Sequence, residues 1–338
     1  MSRTYSGLVQ RFLLATMLVC ALASLSAQKL TLQGEAHVNW EYAAKRVPLW
    51  SQGFLIPIVN NGMAEPMIHF IDDTGTEGAA LPFSIPGARS VMINDVACGP
   101  DGTLAVSGRA HDSEGKGGGF ISWVSPNRQN ITTIQLFPYN AIRLSIASDG
   151  TTWTEGAEIV VGGKDWTGSD HGVIRRFDRF GKLMGWWIPR NSIPEVQSMD
   201  MDGGKLAVGQ DHVGWYAGAA HEYFELTYEG DKVSRYVSYP GVGSPGDQDM
   251  HLTGLAMIDN ADVYLTVQDL KAHTDHSYLL DRAHRSWTPV AAPNLPDGTP
   301  YNYPSIYGGD GKRLALFNGP QSVLFVTPQP DTSARASH

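Results

Sequence analysis

Four stretches of this chain place imidazole, carboxylate and aromatic side chains close together after a glycine or glutamine. They read Gly108-Arg109-Ala110-His111-Asp112, then Gly163-Lys164-Asp165-Trp166 with Asp170 and His171. The third is Gly209-Gln210-Asp211-His212 with Trp215, Tyr216 and His221, and the fourth is Gln268-Asp269 with His273, Asp275 and His276. Neutral imidazole and carboxylate are ligands for borderline divalent metals. The same groups act as general acids and bases, because histidine titrates near neutral pH. Trp166, Trp215 and Tyr216 offer flat apolar faces to a sugar ring or a peptide. Asp, His and Gly are also ordinary loop residues, so composition alone names no reaction. Its recurrence points to a shared binding face, although duplication by itself would also repeat it.

Sharper catalytic signals are missing from the sequence. His273 and His276 have the spacing of a metal pair but no helical pattern around them, and the zincin arrangement needs one helical face. No Gly-x-Ser-x-Gly elbow signals a nucleophilic serine. The glycines from Gly115 to Gly119 around Lys116 lack the spacing and the following helix of a phosphate loop.

Loops of this kind must be held by strands, and the clearest run of strands is Val91–Pro138. Asn94–Cys98, a Gly-Pro-Asp-Gly turn, Thr103–Ser107, a polar loop over Gly108–Gly119, Phe120–Ser125, another turn, and Ile131–Phe137 follow one another there. Four antiparallel strands in about 48 residues is the size of one blade of a β-propeller. The unit recurs. Ile142–Ala147, Ala157–Val161, Gly172–Phe177 and Leu183–Ile188 form one copy; Val196–Met201, Lys205–Val208, Tyr223–Tyr228 and Val233–Tyr239 form another. Leu252–Ile258, Val263–Val267, Ser277–Leu280 and Ser286–Ala291 form the next, and Ser305–Gly308, Arg313–Phe317 and Ser322–Thr327 a last, truncated one. Phe54–Val59, Met67–Ile71 and Ala80–Ile85 supply a first blade, with its innermost strand within Glu41–Trp50. The turn aspartates Asp101, Asp149, Asp202, Asp259 and Asp310 are spaced by 48, 53, 57 and 51 residues, a blade-like period. These aspartates are read as turn formers with no chemistry, since Asp-Gly and Asp-Asn tolerate positive φ.

The prediction is therefore all-β: a six-bladed β-propeller of four-stranded antiparallel blades, with seven blades as the main competitor and a β-sandwich pair behind it. The last copy lacks an outer strand and Leu30–Val38 is spare, so the N-terminal strand closes the last blade and protects its edge. The chain resembles the six-bladed propellers of the TolB-like and NHL-like type, and Gly172–Leu183 (GVIRRFDRFGKL) resembles the outer hairpin of an NHL repeat. The resemblance implies the architecture and carries over no catalytic residue.

Strands that alternate in direction put all second-to-third loops on one face, together with the starts of the innermost strands. That face then carries Asn94, Asp95, Glu195, Asp249, His251, Asn302 and Tyr303, and seven of the 11 histidines: His111, His171, His212, His221, His251, His273 and His276. Asp112, Asp165, Trp166, Asp211 and Asp269 join them as candidate ligand-binding residues. The opposite face is predicted to be more basic, with Arg128, Arg179, Lys182, Lys232, Arg282 and Arg285. Trp123, Trp186, Trp187 and Trp287 lie in strands and are predicted to pack in the core.

The preferred functional reading is a non-enzymatic binding module without a cofactor, monomeric, meeting a protein or glycan partner in the cell envelope. The first alternative is a metal-dependent hydrolase or lactonase with Ca²⁺ or Zn²⁺ in the central channel. Propellers of the lactonase type hold one ion with inner-strand Glu, Asn and Asp, and Asn94, Asp95, Glu195, Asp249 and His251 are the nearest candidates. The second alternative is a structural module of an envelope assembly.

The remaining composition bounds these readings. Arg3 and Arg11 precede the short apolar run Phe12–Leu25, and Ser26-Ala27 follow it, the pattern of a signal peptide over residues 1–27. That run is shorter than the roughly 20 residues a membrane span needs. The expectation is a secreted or periplasmic protein with a propeller over 28–328 and a flexible tail over 329–338. A net charge of −9 argues against nucleic acid as a partner. Beyond residue 27 the only cysteine is Cys98, so an exported fold must rest on its core and not on disulfides.

Overall fold

The computed structural model describes residues 30–38, 49–60, 65–158, 171–193, 205–229, 233–236, 249–258, 262–291, 293–295, 297–299, 305–317 and 322–329. The predicted signal peptide and almost all of the predicted tail lie outside them. So do Asp165, Trp166, Glu195, Asn302, Tyr303, Lys232, Asp202 and Asp259.

The fold is all-β, and Arg190–Ser192 and Gly218–Ala220 are the only helical turns, both 3₁₀, among the described residues. Strand β1 (Leu30–His37) stands first. The next segment forms β2 (Leu49–Ser51), β3 (Phe54–Ile56), β4 (Ile58–Val59), β5 (Met67–Ile68), β6 (Ile71–Asp72) and β7 (Leu81–Pro82). Then come β8 (Ser90–Cys98), β9 (Leu104–His111), β10 (Gly117–Val124) and β11 (Ile131–Gln135) as one antiparallel sheet. A second is β12 (Tyr139–Ile146), β13 (Thr152–Glu158), β14 (Gly172–Phe177) and β15 (Leu183–Pro189). A third is β16 (Lys205–Val208), β17 (His212–Ala217), β18 (Glu222–Thr227) and β19 (Val233–Tyr236). A fourth is β20 (Met250–Ile258), β21 (Asp262–Asp269), β22 (Thr274–Asp281) and β23 (Ser286–Pro289). Finally β24 (Ile306–Gly309), β25 (Leu314–Phe317) and β26 (Ser322–Pro328) take β1 as their outer strand. That closure is the one expected: Leu30 pairs with Pro328 and His37 with Ser322.

The innermost strands touch in sequence around a closed circle, β2–β8–β12–β16–β20–β24 and back to β2. Wedges of core fill the spaces between neighbouring sheets. One joins Ile146 and Tyr139 to Trp123, another Trp153 to Trp215, and another Tyr216 to Leu265 and Trp287. The alternation of each strand sends apolar side chains to both faces, because both faces are covered by a neighbour.

Counted as hydrogen-bonded sheets among the described residues, the blades number seven and not the predicted six, two of them three-stranded: β2-β3-β6 and β4-β5-β7. The cause is local. Phe54 pairs with Asp72 and Leu55 with Ile71, while Ile58 pairs with Ile68 and Val59 with Met67, all in a single register. Pro57 has no N–H to donate, so the ladder is interrupted there and bridged by the His69 N–H donating to Pro57 O at 2.9 Å.

Other boundaries also move. Asn94 and Asp95 lie in the middle of β8 and not at its start, because Val91 and Ile93 extend the strand into the core. The glycine-rich run is largely strand: a Cβ at Gly117 would lie 1.8 Å from Ala110 O, and one at Gly108 2.2 Å from Met92 O. Glycine there permits close backbone approach, which composition alone mimics as a loop. The second strand of the next sheet is Thr152–Glu158, directly after its turn, and not Ala157–Val161. In the third sheet Lys205–Val208 is the innermost strand and not the second, and the segment His212–Ala217, read as loop, is the second. Its polar ends conceal a buried middle in which Trp215 and Tyr216 are core residues. Trp123, Trp187 and Trp287 pack as predicted, whereas Trp186 is 50% exposed on the outermost strand β15.

Candidate functional site

In each sheet the innermost strand runs from what we call the upper face to the lower face, and the second-to-third connections return to the upper face. His111 and Asp112 end β9 on the upper face. Asp112 Oδ1 accepts the N–H groups of Glu114 and Lys116, both at 2.9 Å, so its carboxylate shapes its own turn. His111 and Asp112 line a hollow of about 340 Å³ with Ile85, Ala88, Phe120 and Gln135. His171 is buried, and its Nε2 accepts the Glu158 N–H at 3.2 Å, which requires that nitrogen to be unprotonated. His221 is buried as well, at a positive φ of 50°.

The fourth sheet brings several polar groups to this face. Asp249 and His251 lie at the start of β20, and Asp269 at the end of β21 accepts the N–H groups of Lys271 and Ala272. His273 is exposed in the turn at φ 54°. Asp275 and His276 belong to β22 and not to the loop. His251, Gln268 and Asp275 form one cross-strand row, so their side chains share a face of the sheet. Burial pushes the Asp275 carboxyl upward, and the His276 imidazole offsets this in part.

One predicted pair leaves this face. Asp211 and His212 occupy the first-to-second turn of the third sheet, on the lower face, where they bond to each other. The displacement follows from the strand shift described above. The lower face is less free in its basic groups than predicted. Arg282 binds Glu225 through two bonds at 2.9 and 2.8 Å, tying the fourth sheet to the third. Arg128 donates to Gly102 O and lies over the Phe70 ring. Arg176, not singled out by sequence, donates to Asp149 Oδ2 at 2.6 Å and to Tyr228 O. Asp101, Asp149 and Asp310 cap their turns as expected, accepting from Thr103, Thr151 and Arg313. Between the first two four-stranded sheets this face opens a groove of about 440 Å³ lined by Trp123, Asp149, Arg179 and the largely exposed Phe180.

The innermost strands carry a further set. Asp95, Arg143 and Lys205 each lie four residues before the residue that opens the next turn, Gly99, Ala147 and Gly209. They therefore hold one position on three successive innermost strands. Asp95 Oδ1 accepts the Val96 N–H and Oδ2 accepts the Leu144 N–H of β12 at 2.9 Å. Asn94 donates to Ala141 O at 2.8 Å and to Asn140 Oδ1. Glu155 is fully buried and paired in register with Arg143. Burial lowers the Lys205 ammonium to about 8, with Arg143 acting in the same direction and Asp95 and Glu155 opposing. Sequence reasoning found Asp95 here and missed Arg143, Glu155 and Lys205. The only available signal was their equal distance from the turns, which the misplaced strands of the third sheet concealed.

Four of the five residues proposed for a channel metal are described, and they divide into two groups. Asn94 and Asp95 are committed to the backbone of β12, whereas Asp249 and His251 lie at the upper end of β20. Among the described residues no three of His, Cys, Asp and Glu gather as ligands for an ion. Glu195, the fifth member of that set, lies outside the described residues.

No family model matches the chain, and no curated protein matches it in sequence. Solved structures match in shape. An oligogalacturonate lyase in complex with manganese aligns with TM-score 0.44 and 10% identity over 90% of this chain and 91% of that one. The PQQ-bound aldose sugar dehydrogenase of Streptomyces coelicolor aligns with TM-score 0.46 and 11% identity over 89% and 98%. A lignostilbene dioxygenase of Pseudomonas brassicacearum aligns with TM-score 0.39 and 11% identity over 74% and 61%. Likeness at this level concerns the fold and carries no argument about activity.

Proposed function

We propose that this chain is an exported propeller that binds a protein or glycan partner of the cell envelope through its upper face. The observation that supports it is the hollow of about 340 Å³ lined by His111 and Asp112, beside an apolar floor of Phe120 and Ile85. Pockets of roughly 300–1,000 Å³ with few polar groups on an apolar lining are the usual form of ligand sites. The exposed His251, His273 and His276 on the same side extend the polar surface available to a partner.

A glycan array and an envelope pull-down with the full chain test this reading. Capture that is lost in His111→Ala and retained in Phe180→Ala supports it. The reverse pattern would transfer the site to the lower groove and overturn it. A turnover activity abolished by a single upper-face substitution would replace binding with catalysis.

A further inference from the structure

We infer that the lower-face groove between the first two four-stranded sheets is a binding site for a neutral sugar ring. It is independent of the upper-face reading: free sugars in solution report on the groove, whereas capture of an envelope partner reports on the upper face.

The groove encloses about 440 Å³ and is rimmed by four turns, two from each sheet. Asp101 and Asp149 belong to the first-to-second turns, and Asn130 and the pair Arg179 and Phe180 to the third-to-fourth turns. Each turn is fixed from within. Asp101 accepts the Thr103 N–H and hydroxyl, and Asp149 accepts those of Thr151. The Asn130 N–H donates to Ser125 Oγ at 3.0 Å, and Asp178 Oδ1 accepts the N–H groups of Phe180 and Lys182 at 2.8 and 2.9 Å. The two sheets also meet at the groove: a Cβ at Gly181 would lie 2.6 Å from the Ile134 side chain and 3.2 Å from that of Trp123. The site is therefore preformed, and a ligand need not order a loop to enter it.

The groups left unused by these bonds define the ligand. Among the described residues the Asn130 amide, the Thr132 hydroxyl and the Arg179 guanidinium make no hydrogen bond or ion pair, and all three line the groove. Asp149 is neutralised by Arg176 at 2.6 Å. The charges that remain on the lining are one carboxylate, Asp101, and one guanidinium, Arg179, so an ionic ligand of either sign meets a like charge. Hydroxyl groups both donate and accept, and they suit free donors and acceptors of this mixture. Trp123 and Ile146 supply an apolar wall. Phe180 is 71% exposed at the lip, with the Arg179 guanidinium 4.8 Å from its ring centroid. The C–H face of a sugar ring laid on such a surface removes apolar area from water while its hydroxyls reach the polar rim.

The test is NMR titration of the full chain with glucose, galactose and mannose at millimolar concentration. Each is compared with its own uronate and amino-sugar forms, in weakly acidic buffer where both are ionised, and with cyclohexanol. At least one neutral sugar is expected to bind, more tightly than its charged forms and than cyclohexanol. Phe180→Ala should weaken it by about tenfold, Phe180→Trp should retain it, and Arg179→Met should weaken it as well. Phe180 and Arg179 are exposed, so these changes leave the core intact. His111→Ala should have no effect, which separates this site from the upper face. No binding by any of the three sugars, equal binding of cyclohexanol, tighter binding of a charged form, indifference to Phe180→Ala, or loss of sugar in His111→Ala overturns the proposal.

Discussion

Asp275 shows how one side chain can be set against its surroundings. Its Oδ1 is buried without a hydrogen-bond partner among the described residues, and burial raises its pKa. A carboxyl whose folded pKa lies above its unfolded value binds its proton more tightly in the folded state. Stability from this group is therefore present at low pH and lost as pH rises through the raised pKa. Asp275→Asn should raise Tm at neutral pH, and its advantage over the unmodified protein should shrink as the solution is made acidic. A variant less stable than the parent at neutral pH would show that an upper-face partner of Asp275 matters more than desolvation. The turn aspartates lie at the opposite extreme. Burial works against the charge of Asp149, but the Thr151 bonds and the Arg176 guanidinium hold its carboxyl below the usual range. Their structural role was legible in the sequence, because Asp followed by Gly is a local signal that needs no tertiary knowledge. The partners of Arg282 and Arg176 were not legible, since each reaches a neighbouring sheet more than 50 residues away in the chain.

At the scale of the strand, β1 carries the closure. Leu30 is fully buried beside Leu324 and Val326. Leu30→Ala should cost about 2–5 kcal/mol in urea unfolding, as large-to-small core changes do. Removing 30–37 should go further and leave β26 as an unpaired edge, read as oligomer or aggregate in light scattering. A monomer of undiminished stability would show that the outer strand is dispensable. This closure was visible in the sequence because the counts of strands at the two ends complement each other. The third sheet was misread because Gly209-Gln210-Asp211-His212 is a tight turn with the composition of a long loop. Trp215 and Tyr216, two large residues in succession, were the available sign of a strand buried on both faces. The first sheets were misdivided because a single proline interrupts an otherwise continuous ladder.

Across the whole molecule, Cys98 reports on the integrity of the ring. It is buried in the wedge between the first sheets and β8–β10, and burial raises its thiol pKa. A thiol reagent should modify it slowly under native conditions, at a rate that follows the unfolded fraction as urea is added. Fast modification in the native state would mean that this wedge opens independently of the rest. The wedges are similar in kind, each contributed by two neighbours, so no sheet has a complete core of its own. Two histidines predicted for the upper face, His171 and His221, are taken into the packing for this same reason.

The pairing of Leu30 with Pro328 has a consequence in time. β1, the earliest of the described strands, cannot pair with β26 until that partner is made almost three hundred residues later. Until then the circle is an open arc with a raw margin at each extremity, and its assembly ends in a slow search of high contact order. Whatever shields those margins during synthesis guards the protein in its most vulnerable hour.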